Sequence, residues 1–158
     1  MKRYRQFIVI TMMAIFMFMT LNQQVNAEKT TVTATKQGVG IHFIEQDWSK
    51  ALQEARLRHL PIFFDAKTSW CPPCKMLAAK TFKNTSVEQF FNTNFINVSV
   101  DMEKGIGLQL AKKYAVDAYP TLIITDENAN PITYTKGFME PEQLLAFGRF
   151  GLKKFRSR

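Results

Sequence analysis

Cys71 and Cys74 are the only cysteines in the chain, set three positions apart with Pro72 and Pro73 between them. Four chemistries compete for such a pair: half of a metal site, a structural staple, two inert thiols, or a working dithiol. Structural zinc asks for four Cys or His ligands, and the two histidines, His42 and His59, show no paired spacing. A staple closing so short a loop constrains the unfolded chain very little. Inert thiols belong in apolar surroundings, whereas this pair follows Trp70, brackets two prolines and runs into the helical sequence "KMLAAKTF". The dithiol fits best. A cysteine at a helix start faces unpaired N–H groups and the positive end of the dipole, which lower its pKa. A partner three residues on lies one turn away, so the sulfurs can meet without unfolding anything. First-turn N–H groups have no intrahelical acceptor, so prolines cost little there.

The elements around the pair must hold it in place. Upstream, Asp47 caps a helix over "WSKALQEARLRH" with Trp48, Leu52, Ala55 and His59 on one side, and Pro61 stops it. "IFFDA" (62–66) reads as a central strand with a carboxylate, Asp65, inside it. After the cysteines, Ser86 and Gln89 form a capping box that opens a second helix, "VEQFFNTNF". "FINVSVD" (95–101) alternates like a strand, and Ile106, Leu110 and Tyr114 repeat at helical spacing. "TLIIT" and "ITYT" flank the turn "DENANP" as a hairpin, and Pro141 opens a last helix. The order predicts an α/β fold, with parallel strands early, an antiparallel hairpin late and a C-terminal helix.

"FFDAKTSWCPPCK", followed by "AYPT" and later "KGF", resembles the thioredoxin family over roughly residues 41–150. It is most similar to exported members and to the C-terminal domain of membrane thiol:disulfide interchange reductases. The resemblance implies a thioredoxin fold, a central mixed sheet flanked by helices. It implies that Cys71 is the exposed nucleophile, Cys74 the buried resolving thiol, and the two together a redox-active disulfide. Asp65 matches the buried carboxylate that shuttles the resolving thiol's proton. Trp70 matches the flanking tryptophan, and Pro120 the cis-proline that presents backbone to substrate. Gly137 matches the glycine that keeps the groove open. Pro72 and Pro73 line the substrate side of the motif. Tyr119 is either a groove wall or a half-buried aromatic. Two departures stand out. Pro72 replaces the usual small residue and removes an N–H that would stabilise the Cys71 thiolate. Asn97 stands where many relatives place a basic residue facing the buried carboxylate. The stretch "DMEKGIGLQLAKKY" is longer than in a minimal thioredoxin, and its glycines are not a dinucleotide fingerprint.

With 46% hydrophobic residues and 14 phenylalanines in 158, the chain can bury one good core. Lys2, Arg3 and Arg5, the apolar run at 7–21 and the ending Val25-Asn26-Ala27 follow the grammar of a secretory signal. That run is short for a span of about 20 residues. The expected organisation is a signal at 1–27, a Thr-rich leader at 28–40, a thioredoxin-like domain at 41–152 and a basic tail at 153–158. The net charge is +8, and once the basic residues of the expected signal are set aside much of the rest sits in "GRFGLKKFRSR", without the basic-aromatic pattern of nucleic-acid binding. The expected protein is an exported or periplasmic monomer that exchanges disulfides with protein substrates, most readily in the reducing direction. It needs no metal or organic cofactor, and a membrane electron donor of the interchange type would replenish it. The rival functions are a dithiol oxidase, a disulfide isomerase (disfavoured because the chain has no room for the extra dimerisation domain such exported proteins often carry), a cytochrome c maturation reductase, and a binding module for unfolded chains whose thiols are incidental.

Overall fold

The structure, a computed structural model, describes residues 40–158. The expected signal, and the leader up to residue 39, lie outside the described residues. The chain runs through β1 (Ile44–Glu45), α1 (Trp48–Arg58), β2 (Ile62–Lys67) and α2 (Pro72–Ala79). A 3-10 turn (Thr81–Lys83), α3 (Thr85–Asn94), β3 (Ile96–Asp101) and α4 (Gly107–Lys113) follow. The hairpin β4 (Thr121–Thr125) and β5 (Pro131–Lys136) leads into α5 (Pro141–Arg156). The sheet order is β1-β3-β2-β4-β5. The first three strands pair in parallel, and β4 and β5 are each antiparallel to their inner neighbour. The mixed sheet with its late hairpin is the architecture expected.

The pleat of β2 sorts the core into two layers. Ile62, Phe64 and Ala66 face α1 and α4, where Trp48, Ala51, Ala55 and Leu110 complete one cluster. Phe63 faces the other way, toward Leu77 of α2, Val87 and Phe91 of α3, and Leu144 and Leu152 of α5. Its ring lies 4.5 Å from that of Phe91, which stacks on Phe95 at 5.1 Å. Asp65 shares the pleat of Phe63 and therefore points into the layer that holds the cysteine helix.

Four local expectations are corrected. β1, a two-residue strand at the sheet edge, is too short to show a period and was not foreseen. His59 does not join the packed side of α1; it is exposed, with φ +50, as the left-handed cap that ends the helix before Pro61. The cap of α3 is Asn84 rather than Ser86: its side chain accepts hydrogen bonds from the N–H groups of Ser86 and Val87. An Asx oxygen placed one residue ahead of the helix reaches these orphan donors first. The basic tail is not separate, because α5 continues through Arg156.

Candidate active site

β2 delivers the chain to the top of the sheet, and a turn closed by Cys71 N–H donating to Thr68 O (3.4 Å) leads into α2. Cys71 is the helix cap, with Pro72 and Pro73 in the first two helical positions. Cys71 Sγ accepts a hydrogen bond from Cys74 N–H at 3.2 Å. The prolines offer no N–H, so this amide is the first along the helix that can reach the sulfur. Cys71 and Cys74 are joined in a disulfide, S–S 2.08 Å, with Cα atoms 5.4 Å apart. The expectation of an exposed Cys71 is corrected for this oxidised state. Cys71 is 1% exposed and Cys74 6%, because the bond and the cap interaction both turn the first sulfur in over the helix end.

Asp65 is buried beneath this end of the sheet. Ser99 Oγ donates to its Oδ2 at 2.8 Å, while Oδ1 has no hydrogen-bond partner among the described residues. Desolvation pushes the Asp65 carboxyl up to about 6 from an ordinary 3.8, against the Ser99 hydrogen bond and the charge of Lys67, which pull it down. Lys67 is itself held by Glu45 at 3.2 Å. The parallel register pairs Asp65 with Ser99 and Phe63 with Asn97. Ser99, not Asn97, thus meets the carboxylate. Asn97 instead donates to Phe91 O (3.3 Å) and Asn92 Oδ1 (3.2 Å). Ser99 was missed in the sequence, although the polar alternation Asn97, Ser99, Asp101 marks one face of β3 and both strands can be counted from their first isoleucine.

The rim gathers the remaining predicted residues. The peptide bond between Tyr119 and Pro120 is cis, as the resemblance implies. Pairing of Thr121 with Ala66 places Pro120 beside the end of β2, from which the cysteine turn departs. Gly137 N–H donates to Pro120 O at 2.8 Å. Its φ of +92 suits glycine, and a Cβ there would meet nothing within 4 Å, so the space beside it is open. Trp70 is 59% exposed, and its ring meets that of Tyr119 edge-on at 6.0 Å. Tyr119 fits both of its readings, half-buried and facing Trp70. Burial, then the charges of Glu103 and Asp101, raise its phenol pKa.

A disulfide that caps the helix fed by the central strand, at the open end of such a sheet, places this protein among the thioredoxin-like disulfide oxidoreductases. Comparison with known proteins agrees. Residues 48–151 match the thioredoxin-like domain, and the chain belongs to that family. The thiol:disulfide interchange protein DsbD of Yersinia pestis is 31% identical over 94 residues, 58% of this chain and 16% of that protein. Thioredoxin H4 of Arabidopsis thaliana is 31% identical over 87 residues, 55% of this chain and 68% of that protein. The solution structure of a candidate disulphide isomerase from Bacteroides thetaiotaomicron aligns with a TM-score of 0.64 at 38% identity. That alignment covers 74% of this chain and 97% of the other. The chain spans about a sixth of the length of the interchange protein it matches.

Proposed function

We propose that the protein reduces protein disulfides outside the cytoplasm. The Cys71 thiolate attacks one sulfur of a substrate disulfide, and the substrate's other sulfur leaves as a thiolate that takes a proton from water. Cys74 loses its proton to the Asp65 carboxylate and attacks Cys71 in the mixed disulfide. The second substrate thiol is released, and Cys71–Cys74 is left oxidised. Electrons enter and leave through the cysteine pair, without metal or organic cofactor. The observation that carries the reducing direction is that, among the described residues, a single N–H, that of Cys74, reaches the Cys71 sulfur. A poorly stabilised thiolate makes the disulfide a weak oxidant and the dithiol a good reductant. Titration of the reduced protein should give a Cys71 pKa of about 6.5 to 7.5, and equilibration with glutathione a potential of about −200 to −270 mV. A pKa below about 5 with a potential near −120 mV would make the protein an oxidant instead.

A reductase in an oxidising compartment must be recharged, and similarity to part of a thiol:disulfide interchange protein supports a membrane-held dithiol donor. Export is supported by the charged start, apolar run and small-residue ending of residues 1–27. Protein recovered from the cell envelope should begin at or within a few residues of Glu28. An intact chain in the membrane fraction, still starting at Met1, would replace export with anchoring.

A further inference from the structure

The last helix carries a second surface, which disulfide exchange does not use. From Gln143 to Arg158 the chain has five basic residues and no Asp or Glu. Two glycines seat α5 tightly on the core: a Cβ at Gly148 would lie 2.7 Å from the Phe91 ring, and one at Gly151 2.3 Å from Ile124. The other side of the helix is thereby turned to solvent, where Arg149, Phe150, Lys153 and Lys154 recur at helical spacing, all exposed. Phe150 is 50% exposed, with Lys154 Nζ 5.3 Å from its ring centre. Cations in the last turn of a helix ordinarily complement its dipole. Arg149 and Phe150 lie about two turns inside the end at Arg156, beyond the reach of that effect. The surface also lies away from the disulfide. Arg158 donates to Asp126 Oδ2 at 3.4 Å. Asp126 follows Thr125, which pairs with Ile62 at the start of β2, whereas the cysteine turn leaves from the far end of that strand. α4 ends here too: after its exposed Lys112 and Lys113, the Tyr114 hydroxyl donates to Ala129 O at 3.0 Å in the same hairpin turn. The carboxylates of that turn are Glu127 and Asp126, the latter held by Arg158.

We propose that this face of α5 docks on an anionic lipid bilayer. Arg149, Lys153 and Lys154 meet the headgroups, and Phe150, set among them, enters the boundary with the acyl chains. An exposed phenyl ring gains nothing from a free phosphate, whereas a bilayer surface offers both negative charge and apolar depth. Lys112 and Lys113 add to the positive charge at the same end of the molecule. Because the face and the Cys71–Cys74 bond lie toward opposite ends of β2, docking leaves the disulfide rim uncovered. Confinement to the surface raises the frequency of encounter with a membrane-held donor. That consequence rests on the function proposed above; the docking itself does not.

The test follows the fluorescence of Phe150→Trp in the full chain, with vesicles of phosphatidylcholine alone or with roughly a third phosphatidylglycerol. Taken as the difference from wild type, the emission reports this face alone, independently of residues 1–39. The introduced indole should shift to the blue with the anionic vesicles and stay unshifted with phosphatidylcholine. The shift should reverse as salt rises from about 0.1 M to about 0.5 M. Arg149→Gln, Lys153→Gln and Lys154→Gln, made together in that background, should lower the docking constant about 100-fold, or about fivefold for each charge. No shift with the anionic vesicles overturns the proposal, as does an equal shift with phosphatidylcholine. A triple Gln variant that docks like its parent overturns it too, by showing that the cations hold nothing. A shift with a single-stranded oligonucleotide and none with vesicles would overturn it in favour of a nucleic-acid surface.

Discussion

Replacing Asp65 with asparagine should slow resolution of the mixed disulfide by about 100-fold while the first attack continues within about twofold, the scale on which a positioned general base acts. The carboxylate is buried, with one oxygen held by Ser99 and the other without a partner among the described residues. It titrates near 6, so at neutral pH it is ionised yet basic enough to take a thiol proton. Resolution by the wild type should therefore fall off below about pH 6, and the variant should show no such step. Stability moves in the opposite sense. A carboxyl raised from 3.8 to about 6 binds its proton more tightly in the folded state, so the cost of ionising it is absent below its ordinary value. That cost grows between the two values and is complete above about 6. A shift of this size corresponds to about 3 kcal/mol. The asparagine variant should be more stable than wild type by about that amount at pH 7 to 8, and the two should converge below about pH 4 in denaturant titrations. Asparagine can still accept from Ser99 through its amide oxygen, which keeps the comparison clean. Unchanged rates together with lower stability would leave Asp65 a purely structural part.

The layout of this site was legible wherever a residue's backbone chemistry forces its setting. Pro72 and Pro73 can open a helix but not continue one, so the dipeptide places the Cys71 cap and the fold obeys it. A carboxylate inside "IFFDA" cannot be buried without compensation, and Asp65 is buried with Ser99 beside it. The cis bond at Pro120 carries no local signal and followed from the resemblance alone. Ser99 escaped because parallel register is a property of two strands rather than one. Its identity as the carboxylate's neighbour depends on Ile62 meeting Ile96. The cap at Asn84 was missed because two overlapping capping patterns compete, and the chain uses the one that begins two residues earlier. Exposure of Cys71 was misjudged because the way the disulfide and the Cys74 N–H turn its sulfur in over the helix end has no local sequence signal.

That last point sets the sharpest test of the site. With 1% and 6% exposure, accessibility does not tell which sulfur attacks first, so the assignment rests on position. Cys71 caps the helix, where its sulfur receives the Cys74 N–H, and a thiolate there gains from the amide and from the dipole behind it. Cys74 lies inside the first turn, and its own amide is spent on its partner. Cys71→Ser should therefore lose insulin reduction by at least about 10³-fold, as loss of a nucleophile does, and form no covalent adduct. Cys74→Ser should still attack but be unable to release its substrate. It should accumulate a mixed disulfide that survives a non-reducing gel and disappears with added thiol. Adducts trapped by Cys71→Ser and absent from Cys74→Ser would reverse the two roles. A third outcome speaks to the rival from another class. If both serine variants hold unfolded chains as tightly as wild type, and wild type reduces nothing, the groove of Trp70, Tyr119 and Pro120 is a binding surface. Neither cysteine then carries the function.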